Sequence, residues 1–258
     1  MNNIQYQVTH NVATITLDRP DKFNSFIRPM ALAMQEALDN AAQDASVRCL
    51  VIAGSGKAFS AGQDLAEATD PNGPDLNKIL TEHYNPIITR IRNISKPVIA
   101  AVNGVAAGAG ANIALACDIV LVTESASFIQ AFSKIGLIPD SGGTFMLPRL
   151  IGFQRASALM MTGEKVSARD ACMMNMVYKV YPDEVFMDEV LKMAGTIAQM
   201  PTYGLALTKK ALNQSLTNNL EQQLALEDEL QTLAGNSEDY KEGTSAFLEK
   251  RKPIFKGK

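Results

Sequence analysis

Residues 4–17 alternate between apolar and polar character. Ile4, Tyr6 and Val8 are followed by Val12, Thr14 and Thr16, with His10-Asn11 between the two runs. A period of two predicts strands, and the polar break predicts a hairpin turn. Asp18-Arg19-Pro20-Asp21 ends the hairpin. From Pro29 to about Ala42 the spacing changes, with Met30, Ala33, Met34, Ala37, Leu38 and Ala41 recurring at helical intervals. Pro29 suits a first helical turn. Residues 48–53 form a short apolar run, read as a buried strand that ends at Gly54-Ser55-Gly56. Residues 69–78 are loop-like and are expected to form a mobile flap, and a helix is predicted over 79–93. Val98–Val102 is a second buried strand, followed by a Gly/Ala-rich run over 104–111. A helix to Ala116 and a strand over 118–122 complete this stretch.

Strands thus alternate with helices through the first two thirds, which predicts an α/β fold with crossover connections. The last third reads as helical. Ser167 caps a helix through Met173, residues 188–200 are amphipathic, and residues 205–233 are expected to form one long helix. No linker or repeat divides the chain. One α/β core over residues 1–195 and a C-terminal helical subdomain over 196–258 are expected.

Composition narrows the function classes. With 258 residues, 47% of them hydrophobic, the chain supplies a sizeable core. A net charge of -3 without a clustered basic face argues against nucleic acid. No apolar run approaches the roughly 20 residues of a membrane span, and the N-terminus has no basic-then-apolar leader. Cys49, Cys117 and Cys172 are odd in number and far apart, which suits reduced core residues of a cytoplasmic protein. His10 at the hairpin turn and His83 in a polar stretch are expected at the surface. With only these two isolated histidines, neither a His-dependent triad nor a metal site is expected.

Three segments remain that suit chemistry, each at an expected strand-to-helix transition, where free backbone N–H groups gather. The first runs from Gly56 to Leu65. It lacks the glycine spacing and Ser/Thr of a phosphate-binding loop. Taken alone it reads as a tight turn with Asp64 as a helix cap. The second, Asn103 to Asn112, is rich in Gly and Ala. It allows close helix–strand packing or an N–H donated to an oxyanion. In the third, Phe128 to Thr144, Asp140 precedes small residues and an apolar run, so alone it reads as a helix N-cap.

Together and in this order, the three segments resemble the crotonase (enoyl-CoA hydratase/isomerase) family. Ala61-Gly62-Gln63-Asp64-Leu65 is similar to the family's A-G-x-D-[LI] segment. Asn103 to Gly110 is similar to its N-G-x-x-x-G-x-G segment, with Ala109 in place of the usual middle glycine. The resemblance implies a spiral of ββα units that binds a coenzyme A thioester, with the backbone N–H groups of Gln63 and Ala109 forming an oxyanion hole. Family hydratases carry two glutamates where this chain has Asn112 and Phe132. Neither residue transfers a proton, so two-carboxylate water addition is disfavoured. Asp140 falls where family isomerases carry their acid. A neutral amide and an aromatic ring beside it would raise its pKa toward a useful general base.

The same resemblance places Ala61, Asp64, Leu65, Gly108, Asn112, Phe132 and Pro139 along the bound thioester. It directs Lys22 and Lys57 to the coenzyme A phosphates or adenine, although as residues they read equally well as solvated lysines. Residues 103–111, 131–143 and the tail around 233–251 are most similar to the branch of the family that isomerises a ring-1,2-epoxyphenylacetyl thioester to an oxepin in phenylacetate breakdown. Double-bond migration in a 3-enoyl-CoA would use the same residues. No metal or redox cofactor is expected, coenzyme A being part of the substrate, and a homotrimer or dimer of trimers is implied. Two other readings keep the fold: Asp140 as a nucleophile in hydrolysis or dehalogenation, and a non-catalytic acyl-CoA-binding module.

Overall fold

A computed structural model of the chain describes residues 3–258. Strands β1 (Ile4–Thr9) and β2 (Val12–Leu17) form the expected hairpin, with His10 and Asn11 both at positive φ. Ala13, Ile15 and Leu17 fill the core, Thr14 and Thr16 face away, and β1 beyond Ile4 is exposed. The hairpin begins a six-stranded sheet in the order β1-β2-β3-β5-β7-β10, with β3 at Cys49–Gly54, β5 at Val98–Val102, β7 at Ile119–Thr123 and β10 at Lys179–Tyr181. All its pairings after the hairpin are parallel. One face packs on the helices Arg28–Gln43 and Asn85–Asn93. The other carries Val12, Cys49, Val51, Ile99, Ala101 and Leu121 against Phe186, Val190, Ala194 and Ala198 of the helix Phe186–Ala198. Burial on both faces explains why β3 and β5 read as unbroken apolar runs.

A second sheet holds β4 (Ala58–Ser60), β6 (Val105–Ala107), β8 (Ser127–Ile129) and β9 (Lys165–Ser167), in that order. Each strand of the large sheet from β3 to β7 is followed by a short strand of the small one. β3 leads to β4, β5 to β6 and β7 to β8, and each turn advances one strand in both sheets. That is the spiral of ββα units. The pairings β4–β6 and β6–β8 are parallel, so the C-terminal ends of these three strands lie side by side.

Two helix boundaries differ from the expected ones. The helix expected from residue 79 begins at Leu76, capped by Asp75, and passes through a π-helical segment, Ile79–Tyr84, before Asn85–Asn93. The single helix expected over 205–233 is two, Thr202–Ser215 and Leu220–Gly235. Asn219 and Gln222 form a reciprocal capping box that starts the second. With Glu238–Leu248 they make up the C-terminal helical region. Cys49 and Cys117 are buried free thiols and Cys172 is half-buried. Among the described residues no helix is long and apolar enough to cross a membrane.

Candidate active site

The three segments singled out in the sequence leave β4, β6 and β8 at their C-terminal ends, so the small sheet brings them together. Gly62, at φ +86°, lies so close to the second segment that a Cβ there would stand 2.9 Å from the Ala107 carbonyl oxygen and 3.2 Å from the Ala109 nitrogen. Phe26 clamps the first segment. Its N–H donates to Gly62 O at 2.7 Å and its carbonyl accepts from Asp64 N at 2.9 Å. In extended chain successive N–H groups point to opposite sides, so the Gln63 N–H turns away from Phe26, and it has no acceptor among the described residues. In the second segment Gly108, at φ +52°, makes the turn from β6 into the helix Ala109–Leu115. Ala109 opens that helix, and its N–H is likewise unengaged. Two free donors therefore sit on loops in direct contact.

The Gln63 side chain is tied back. Its Oε1 accepts from the Tyr84 hydroxyl at 3.0 Å and its Nε2 donates to Glu67 at 2.9 Å. Glu67 also accepts from the Arg28 N–H, which opens the helix Arg28–Gln43. Asp64 is committed to structure. Its carboxylate caps the short helix Leu65–Ala68 through Ala66 N and pairs with Arg19 at 2.6 Å. Partial burial pushes its pKa up, but the bonds from Arg19 and Ala66 outweigh that and hold it low. Asn103 bridges the loops after β3, accepting from Gly54 N and donating to Gly56 O.

Asp140 is not a helix cap. The helix that follows, Gly143–Ile151, starts from Gly142 without a side-chain cap. The Asp140 carboxyl is half-buried, accepts one hydrogen bond at 2.8 Å from the Ser141 hydroxyl, and forms no ion pair among the described residues. Burial raises its pKa above the usual carboxylate value, and the Ser141 bond only partly opposes this. Its backbone carbonyl accepts from Asn112 Nδ2 at 2.8 Å and from Gly143 N at 2.8 Å. Asn112 is buried on the helix that Ala109 opens. Phe132, also buried, turns its ring edge toward Gly108. The third segment thus meets the second through Asn112 and Phe132.

Of the other residues expected at the site, Ala61 and Leu65 are exposed and Pro139 is half-buried beside Asp140. Lys22 and Lys57 are exposed on neighbouring turns, joined where Gly56 lies against Pro20. Tyr84, Glu67, Gln130 and Ser141 were not anticipated. Tyr84 is wholly buried. Desolvation, then the charges of Asp140 and Glu67, drive its phenol well above its ordinary pKa, so it stays a neutral donor. His83 corrects the expectation of a surface residue. It is fully buried where the segment Ile79–Tyr84 packs on the helix Arg28–Gln43, and neither ring nitrogen has a partner among the described residues. Burial lowers its pKa, leaving it neutral near pH 7.

The family model described as enoyl-CoA hydratase/isomerase matches residues 7–258. The chain is 48% identical over 261 residues, the whole of both chains, to 1,2-epoxyphenylacetyl-CoA isomerase of Escherichia coli (strain K12). It is 37% identical over 258 residues, 99% of this chain and 98% of the other, to a trans-2-decenoyl-(acyl-carrier-protein) isomerase of Streptococcus mutans. The crystal structure of an enoyl-CoA hydratase from Bacillus anthracis superposes with a TM-score of 0.92 at 33% identity, covering 99% of this chain and 100% of that one.

Proposed function

Since the chain belongs to the enoyl-CoA hydratase/isomerase family and is an isomerase of acyl-CoA thioesters, we propose that it converts ring-1,2-epoxyphenylacetyl-CoA to its oxepin isomer with Asp140 as the sole proton carrier. The observation that carries this reading is the state of Asp140. Its carboxyl caps no helix, has no cationic partner among the described residues and is raised in pKa, and Asn112, whose amide holds the Asp140 carbonyl, cannot share the work.

In this mechanism the N–H groups of Gln63 and Ala109 form the oxyanion hole for the thioester oxygen. Asp140 removes a proton from the carbon next to the carbonyl, and the enolate charge is held by the two donors. One such donor contributes about 3–4 kcal/mol in the transition state, and a placed general base roughly 10²–10⁴-fold. The electron pair then moves into the ring, the bond between the two epoxide carbons opens to a seven-membered ring, and Asp140 returns the proton to a ring carbon. Atoms and charge balance, and no cofactor beyond the substrate's own coenzyme A is required. Lys22 and Lys57 reach for the coenzyme A phosphates. Unpaired thiols at Cys49 and Cys117 suit a cytoplasmic enzyme. Exposed Phe247, Leu248 and Ile254 on the C-terminal region supply apolar surface for a homotrimer or dimer of trimers.

Double-bond migration in a straight 3-enoyl chain is the second reading, supported by the Streptococcus mutans relative and served by the same three groups. Offering the enzyme both thioesters separates the two. The proposal expects an isomer of unchanged mass from the ring epoxide, with oxepin resonances by NMR. Turnover of the 3-enoyl-CoA with the epoxide left untouched would transfer the assignment to the second reading.

A further inference from the structure

Asp140 ends a chain of two buried amides. Gln130 Nε2 donates to Asn112 Oδ1 at 2.8 Å, and Asn112 Nδ2 donates to the Asp140 carbonyl at 2.8 Å. Asn112 is 1% exposed and Gln130 is 4% exposed. The direction of the chain is fixed from its end. A carbonyl oxygen only accepts, so Asn112 must present its NH₂, its oxygen must face Gln130, and Gln130 must present its own NH₂. The Gln130 Oε1 is left buried without a partner among the described residues. A buried polar atom abandoned in this way costs stability, so the chain is retained at the expense of its outer end.

The loop it holds is a constrained one. Ser141 and Gly142 both take positive φ, +52° and +74°, and Ser141 is itself buried. The amide packs so tightly that a Cβ on Gly143 would stand 2.4 Å from Asn112 Nδ2. The position of Asn112 also excludes a carboxylate. An acid there would set a negative oxygen against the Asp140 carbonyl and bring a second charge near a carboxyl that burial already disfavours in its ionised form.

We propose that Gln130 and Asn112 are a positioning pair, which aims the Asp140 carboxyl at the substrate by anchoring its backbone carbonyl and sets an amide rather than a second carboxylate against that loop. The inference rests on Asp140 being the base.

The test compares Asn112→Asp, which keeps size and removes the donor, and Gln130→Met, which keeps bulk and frees the Asn112 amide. Both are assayed on 3-enoyl-CoA for kcat, KM and the pH midpoint of kcat/KM, with the thermal melt as a check of folding. Loss of aim lowers kcat by roughly 10–100-fold with KM held within about threefold in both variants, part of the roughly 10²–10⁴ available to a general base. Asn112→Asp also moves the acid-side midpoint upward, because the new charge favours protonated Asp140. Tyr84, whose phenol feels the charges of Asp140 and Glu67, is unchanged in both. Folded variants with kcat and midpoint like wild type, or with only KM raised, overturn the proposal. If Asn112→Asp does not fold, Gln130→Met decides alone on the split between kcat and KM. An Asp140→Asn variant run alongside separates the two levels. If it retains activity, the base assignment itself falls; if it is inactive while Gln130→Met is normal, only the positioning role falls.

Discussion

Adding one methyl group at Gly62 tests whether the site works through its backbone. The Cβ of Gly62→Ala would stand 2.9 Å from Ala107 O and 3.2 Å from Ala109 N, on a residue held at φ +86°. A left-handed alanine costs about 1–2 kcal/mol. At about 2–4 °C per kcal/mol for a chain of this size, the melting temperature falls by about 2–8 °C. The contact adds a second effect, because the loops carrying Gln63 N and Ala109 N must separate to admit the methyl. If one donor is lost to the thioester oxygen, the barrier rises by about 2.7–4 kcal/mol, or roughly 10²–10³ in kcat. The control is Gln63→Leu, which keeps the N–H and removes only the side chain bonded to Tyr84 and Glu67. Its kcat falls by less than about tenfold. Both are measured at saturating 3-enoyl-CoA on protein shown to be folded by its melt. A folded Gly62→Ala enzyme with kcat within about threefold of wild type would refute the reasoning.

Other outcomes follow from the same structure. The raised pKa of Asp140 means that the folded protein binds this proton more tightly than the unfolded chain. The cost to stability is therefore absent below the unfolded carboxyl value of about 3.9 and fully present above the folded one. Asp140→Asn should melt higher than wild type near neutral pH, with the gap closing as pH falls toward about 4. Asp239 is 3% exposed and accepts from the N–H groups of Lys256 and Gly257. Asp239→Ala should lower stability by about 3 kcal/mol in urea unfolding and expose the C-terminal residues to protease. Phe247 is 82% exposed, so Phe247→Glu should shift an oligomeric wild type toward monomer in light scattering. A wild type that is already monomeric contradicts the proposed assembly.

Legibility in the sequence followed the length and symmetry of each element. β3, β5 and β7 are apolar on both faces and five or six residues long, so they stand out as runs. β4, β6 and β8 have three residues each, too few to show a period. Yet these are the strands whose ends gather the site, so the sequence showed three promising segments without showing why they meet. Asp64 and Asp140 looked alike as residues before a helix. Asp64 is a cap, while Asp140 is spared by the turn through Ser141 and Gly142. The bonds that orient the site join residues far apart in the chain, Tyr84 with Gln63 and Asn112 with Asp140, and spacing rules have no access to such pairs. His83 was misplaced because its neighbours Thr81 and Glu82 are polar while its own side chain turns inward. The break before Leu220 did have a signal, since Asn219 and Gln222 have the spacing of a capping box, but continuous apolar character masked it.

The central claim is that one carboxyl group carries the proton. Wild type and Asp140→Asn are incubated with a 3-enoyl-CoA in D₂O, and double-bond position and deuterium are followed by NMR. The account predicts migration by wild type, with deuterium entering at the carbons that lose and gain the proton, and neither migration nor exchange in the variant beyond roughly 10⁻²–10⁻⁴ of the wild-type rate. Migration at an undiminished rate in Asp140→Asn would contradict it.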